Sequence, residues 1–236
     1  MNPYPESSAQ DFFQADATTD VRMAFLRRVY AHVFGAVLLL VGLSAVIIQT
    51  GVMEPFILQM GSMWWAVLLG FMAVSWIAQK MAYSGASMST QYAGLGLYTV
   101  AEAIIFAPML YYVTTVIDAP DLLLQAGFLT LLIFGGLSAV VFMTKADFSF
   151  LRGVVVVGGL LAVGLIFAGM IFGFDLGLWF SVAIVGLMAV TILYQTSEIY
   201  HNFPPTMHVA AALALFSSIA TLFYYILRIL IALQDD

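Results

Sequence analysis

Long apolar segments alternate with short polar segments along almost the whole chain. Because a membrane-crossing helix needs about 20 apolar residues, each long segment predicts one such helix. The segments cover residues 29–48, 63–77, 93–113, 122–143, 150–172, 178–199 and 209–233. Short linkers make consecutive helices antiparallel neighbours. The pattern therefore predicts an all-α membrane protein with seven transmembrane helices.

Composition supports this prediction and excludes several classes of protein. Of the 236 residues, 63% are hydrophobic and 8% are charged, whereas a soluble domain carries about 25% charged residues. A soluble enzyme is therefore excluded, and the main partner of the chain is the lipid bilayer. The chain has no cysteine, which excludes disulfides and thiolate metal centres. A formal net charge of -6 argues against nucleic acid as a partner.

Charge in the polar segments predicts domain organisation and orientation. The first 20 residues are polar and predict a mobile tail (1–20) ahead of one transmembrane domain (21–236). If the helices alternate in direction, six cations fall on one side: Arg22, Arg27, Arg28, Lys80, Lys145 and Arg152. The opposite loops hold acids alone: Glu54, Asp118, Asp121 and Asp175. Cations concentrate in cytoplasmic loops, so we expect a multi-pass protein with a cytoplasmic N-terminus.

Glycine is concentrated in the fifth segment, at positions 153, 158, 159, 164, 169 and 173. Small residues let membrane helices approach closely, which predicts that the fifth helix is central and covered by protein. The alternative is a lipid-facing helix that happens to be rich in glycine.

Glu102 is the clearest candidate for a functional group inside the membrane. An ionisable residue in the middle of a membrane helix costs at least about 2.5 kcal/mol on insertion scales. Gly94, Tyr98 and Glu102 are spaced by four and share one helix face, and Pro108 lies six residues beyond. This arrangement favours a cation path or a pH-sensing group. A protonated glutamate that holds neighbouring helices together is an equally supported interpretation.

Polar stripes predict a second set of candidates on the sixth and seventh helices. Thr191, Gln195 and Glu198 share one face of the sixth. The stripe of the seventh comprises Ser218, Thr221, Tyr225 and Arg228. Two such stripes that face each other either line a water-filled path or form hydrogen bonds between the helices. Hydrogen bonds between helices are the commoner of the two cases. Arg228 either extends to the interface or pairs with Asp175.

Other motifs give little support for chemistry. Asp147 is placed to cap the fifth helix, since its carboxylate can accept a free backbone N–H. Hydrolase, zinc-protease and phosphate-loop motifs are missing from the sequence. We therefore expect no catalytic residues, no metal site and no cofactor, with calcium entering only as an ion that is transported.

Three stretches carry a resemblance to a known family. They are FMTKADFSFL at 142–151, ILYQTSEI at 192–199, and ALALFSS at 212–218 followed by Leu222, Phe223 and Arg228. These stretches resemble the Bax inhibitor/YccA transmembrane family over about residues 20–236. The resemblance implies a central helix ringed by the others and a cytoplasmic N-terminus.

The resemblance also implies two activities. Some members are pH-sensitive calcium leak channels gated by two aspartates on the sixth and seventh helices; here those positions are Gln195 and Ser218, which do not ionise. YccA-like members are bacterial inner-membrane partners of the FtsH-type AAA protease. We therefore expect first a regulator of membrane-protein quality control or stress. The alternative is a calcium or proton-sensitive cation leak through Glu102, Gln195, Glu198 and Ser218.

Overall fold

Seven long helices form the part of the protein that the structure describes. The computed structural model describes residues 7–51, 54–55, 63–84 and 87–234, with the backbone alone for residues 7–19 and for Trp64. The helices are α1 (Ser7–Thr50), α2 (Trp64–Ala82), α3 (Met88–Tyr111), α4 (Asp121–Thr144), α5 (Arg152–Phe172), α6 (Gly177–His201) and α7 (His208–Ala232). In the described part of the chain, seven helices are long and apolar enough to span a membrane. The predicted all-α fold is therefore confirmed.

The outer surface of the bundle is apolar. Phe172 and Trp179 are 77% and 83% exposed, and many leucines and valines point outward beside them. Soluble monomers rarely expose contiguous apolar surface on this scale. This surface therefore faces lipid.

Helix α7 is the central helix, and the prediction that the fifth helix is central is wrong. Side chains are buried along most of α7, including the alanine run 210–212, where the exposed fraction is zero. These alanines let α1, α3, α4 and α6 approach α7 closely. The centre of the bundle is thus built from alanine rather than from glycine.

Helix α5 lies at the edge of the bundle and packs mainly against α6. A Cβ atom added at Gly153, Gly159 or Gly164 would meet no atom within 4 Å. These three glycines therefore face open space, whereas Gly158 and Gly169 lie close to side-chain or backbone atoms. Gly173 ends the helix with a φ of 73°, a left-handed conformation that glycine adopts without strain.

Pro108 does not interrupt its helix, and the irregular backbone of this span lies later in the chain. Helix α3 continues through Pro108 to Tyr111, and a π-helical turn follows at Tyr112–Val116. Single π-turns are uncommon and change the direction in which side chains point. The irregular backbone thus lies at the end of α3, next to the acidic linker that contains Asp118.

The two ends of the bundle differ in charge. We call the end that holds Arg22, Lys145 and the α6–α7 linker the arginine end, and the end that holds Asp175 the acidic end. Helix α1 begins at Ser7, inside the predicted tail. The mobility of that tail stays a prediction, because residues 1–6 lie outside the described residues.

Hydrogen bonds hold the arginine end together. Arg22 donates to the backbone oxygens of Phe203, at 2.6 Å, and His201, at 2.7 Å. The hydroxyl of Ser197 accepts from the Phe148 N–H at 2.9 Å, and His201 Nε2 lies 3.2 Å from the Lys145 oxygen. These contacts join α1 and the α4–α5 linker to the end of α6.

We expect Arg22→Gln to lower the thermal stability of the protein. Two hydrogen bonds from a cation to carbonyl groups at the end of a helix are lost, for about 2 kcal/mol in total. The melting temperature of the detergent-solubilised protein should fall by about 4–8 °C. Arg27→Gln is the matched control, because Arg27 is exposed. Equal melting temperatures for the two variants would contradict the assigned role of Arg22.

A membrane vestibule that ends at Glu102

A cavity of about 470 Å³ opens at the acidic end and reaches into the bundle. We call this cavity the vestibule. Asp175 and Arg228 lie at its mouth, and Thr221, Tyr98 and Glu102 lie deeper. Apolar side chains of α2, α3, α5 and α6 form the rest of the wall. The vestibule thus brings the predicted candidates Glu102, Thr221, Tyr225 and Arg228 to one space.

Glu102 is the only buried carboxylate in the part of the chain that the structure describes, with 3% of its surface exposed. Its Oε1 atom lies 2.8 Å from the Tyr98 hydroxyl. That hydroxyl lies 2.9 Å from the Ser217 hydroxyl. A phenol has one proton to donate. The Tyr98 hydroxyl therefore donates to one of these two oxygen atoms at a time, and an ionised Glu102 can only accept.

The mouth of the vestibule carries an ion pair. The Nη2 atom of Arg228 lies 3.3 Å from Oδ1 of Asp175, which is one of the two arrangements that the sequence left open for Arg228. Asp175 is 83% exposed, so water screens the pair and its contribution to stability is small. The pair places one positive and one negative charge where an ion would enter.

The remaining candidates lie away from the vestibule. Ser218 donates to Oε1 of Gln195 at 2.9 Å, so the sixth and seventh helices do bring these two side chains together. Thr191 donates to the Leu187 oxygen of its own helix at 2.8 Å. Glu198 accepts from the Asn202 side chain at 3.1 Å, near the end of α6. These four side chains do not line the vestibule.

Sequence reasoning missed Ser217. The predicted polar stripe on the seventh helix begins at Ser218, whereas the hydroxyl bonded to Tyr98 is that of Ser217. The spacing of four from Ser217 to Thr221 and again to Tyr225 is the signal that identifies the correct face.

The vestibule does not continue to the arginine end. Phe216, Leu213 and Leu215 fill the bundle along α7 and are at most 1% exposed. Phe216 also packs edge-on against Tyr98, with ring centroids 6.0 Å apart. The described structure is therefore open to the acidic end and blocked beyond Tyr98.

Asp147 lies at the start of the fifth span, at the arginine end. Its Oδ1 atom accepts from the Ser149 N–H at 2.8 Å. This hydrogen bond holds the pKa of Asp147 below its usual value. Ser149 begins a short 3₁₀ helix, Ser149–Leu151, that leads directly into α5. The carboxylate thus supports the turn before α5 and not the first turn of α5 itself.

Comparison with known proteins identifies the family. The family described as "Inhibitor of apoptosis-promoting Bax1" matches residues 22–235. The chain is 31% identical to an uncharacterized protein of Pseudomonas aeruginosa, over 72% of this chain and 75% of that one. It is 30% identical to Bax inhibitor 1 of Schizosaccharomyces pombe, over 98% and 86% of the two chains. It is 29% identical to mouse protein lifeguard 4, over 98% and 96%. The chain therefore belongs to the Bax inhibitor family of membrane proteins.

Proposed function

We propose that this protein is a gated cation leak, with Glu102 as the inner ion site and the vestibule as the entrance. The observation that carries the proposal is a buried carboxylate at the inner end of a largely apolar cavity that opens at one end of the bundle and carries an ion pair at its mouth. A carboxyl group inside a membrane protein is costly and is characteristic of ion and proton pathways. The block beyond Tyr98 corresponds to the closed state.

The chemistry of the vestibule suits a hard cation. Calcium binds oxygen ligands, and carboxylates are the strongest of these in proteins. Glu102, Tyr98, Thr221 and Asp175 offer oxygen atoms from the inner end to the mouth. Arg228 opposes cation entry unless its charge stays paired with Asp175. Entry of the ion is therefore coupled to the ion pair at the mouth.

We further propose that the arginine end is cytoplasmic and that the protein resides in a bacterial inner membrane. The one-sided distribution of lysine and arginine supports this orientation. The vestibule then opens to the periplasm. The first-ranked prediction from sequence, a partner of the FtsH-type AAA protease in quality control or stress, rests on the resemblance to YccA-like members and would use the tail 1–20. It stays a prediction, because the side chains of residues 7–19 and all of residues 1–6 are not described.

A liposome assay tests the cation leak. Purified protein is reconstituted with a calcium indicator inside, and a calcium gradient is applied at several pH values. We expect uptake above that of protein-free liposomes. Uptake equal to that of protein-free liposomes at every pH would exclude the proposed cation leak. The regulatory role would then be the remaining candidate.

The Gln195–Ser218 contact predicts a second result. Gln195→Asp combined with Ser218→Asp places two carboxylates where one hydrogen bond of 2.9 Å now joins α6 to α7. At low pH the carboxylates share a proton; at higher pH both ionise and repel each other. Calcium flux in this variant should therefore rise with pH more steeply than in the native protein.

The control for this experiment is Gln195→Asn combined with Ser218→Asn. Its side chains have volumes similar to those of the aspartate variant but cannot ionise. Its pH profile should match that of the native protein. Identical profiles for the aspartate and asparagine variants would show that this contact does not control the path.

A further inference from the structure

A groove of about 290 Å³ runs between α1 and α3, starting near the arginine end. Small residues form its floor, among them Gly35, Ala36 and Gly96. A Cβ atom added at Gly35 or Gly96 would meet no atom within 4 Å. Phe34 and Leu38, beside the floor on α1, are 65% and 55% exposed. The groove is thus a narrow channel on the lipid-facing surface.

The groove has a polar end and an apolar end. His32 and Tyr92 lie at the polar end, with His32 Nε2 3.0 Å from the Tyr92 hydroxyl. His32 Nδ1 lies 2.6 Å from the Arg28 oxygen, which fixes the orientation of the ring. Leu39 lies at the other end, seven residues and about 10 Å further along α1. The groove therefore extends from the membrane interface through about a third of the thickness of the hydrocarbon core.

Positive charge adjoins the polar end. Arg28 lies one turn before His32 on the same face of α1, and Arg27 is its neighbour. Both arginines are exposed, and no described carboxylate lies within salt-bridge distance of either. Exposed arginines at a membrane interface attract anionic lipid headgroups by about 1 kcal/mol each.

We propose that this groove is a binding site for one anionic phospholipid. One acyl chain lies along Gly35, Ala36 and Gly96, and the headgroup phosphate contacts Arg28 beside Tyr92, whose hydroxyl also lies 3.4 Å from His208 Nε2. The small floor residues admit the chain, and the arginines select the charge of the headgroup. The site is separate from the vestibule and does not depend on the proposed cation leak.

Lipid retention in native mass spectrometry tests the site. Full-length protein is equilibrated with phosphatidylglycerol or phosphatidylcholine in detergent, and bound lipid is counted. We expect preferential retention of phosphatidylglycerol. Arg28→Gln should weaken that retention about fivefold, the effect of one interfacial charge. Arg152→Gln removes an exposed cation elsewhere and should leave retention unchanged.

A second pair of variants tests the groove itself. Gly96→Phe fills the groove and should displace the bound lipid, whereas Gly135→Phe on α4, another glycine with open space beside it, should not. Excess inorganic phosphate should not displace the lipid, since the acyl chain supplies part of the affinity. Equal retention of both lipids, equal effects of Arg28→Gln and Arg152→Gln, or displacement by phosphate would each overturn the proposal. If Gly96→Phe fails to fold, the two arginine variants decide the question.

Discussion

Replacing Glu102 with Gln should reduce calcium flux at least about tenfold, which corresponds to about 1.4 kcal/mol. Glutamine keeps the shape of the side chain and can still hydrogen-bond Tyr98, so the fold should persist. What is lost is the only buried carboxylate of the described residues, and with it the ligand that offsets dehydration of the ion. Flux is measured in the liposome assay at matched protein content.

The control for Glu102→Gln is Glu198→Gln. Glu198 is a carboxylate on α6 that lies outside the vestibule, so its replacement should leave flux unchanged. Equal melting temperatures for the native protein and Glu102→Gln show that folding is intact. If the Glu102→Gln variant is folded and passes calcium at the rate of the native protein, Glu102 is not the inner ion site.

The second large effect is expected at Gly94. A Cβ atom at this position would lie 2.7 Å from the Ala78 oxygen and 2.9 Å from the Ala82 nitrogen, both backbone atoms of α2. Backbone cannot move aside as a flexible side chain can, so α2 must shift. Overpacking of this kind costs about 1–3 kcal/mol. Gly94→Leu should therefore destabilise the protein strongly, and Gly94→Ala should do so measurably.

Gly127→Ala is the matched control, because a Cβ there meets no atom within 4 Å. Thermal melting compares the three variants with the native protein. A spin-label distance between α2 and α3, introduced through cysteines, should lengthen in Gly94→Ala. The chain has no native cysteine, so the labels are specific. A melting temperature for Gly94→Ala equal to that of Gly127→Ala would contradict the close packing of α2 on α3.

Sequence alone predicts the helices well and their arrangement poorly. Segment length and hydropathy identify seven spans, because the bilayer imposes the same length on each. The choice of the central helix depends on which faces meet, and composition does not contain that information. Glycines at 153, 159 and 164 suggested close packing, yet they face open space, whereas alanines 210–212 are the packed residues.

The sequence likewise predicts the residues of the candidate site better than the contacts between them. Glu102 was identified because an acid in an apolar segment is costly and therefore informative. Ser217 and Ser218 are adjacent, and only three-dimensional packing shows that Ser217 contacts Tyr98 while Ser218 contacts Gln195. Glu198 shares a helix face with Gln195 in sequence but lies near the end of α6, where it bonds Asn202.

Cysteine accessibility measures whether water reaches the bundle interior from the acidic end alone. Thr221→Cys places a thiol in the vestibule, and Lys145→Cys and Asp121→Cys mark the arginine and acidic ends. A membrane-impermeant thiol reagent is added to one side of sealed vesicles at a time. We expect Thr221→Cys to react from the side that labels Asp121→Cys. Reaction from the side that labels Lys145→Cys, or from neither side, would show that the vestibule is not a water-filled opening at the acidic end.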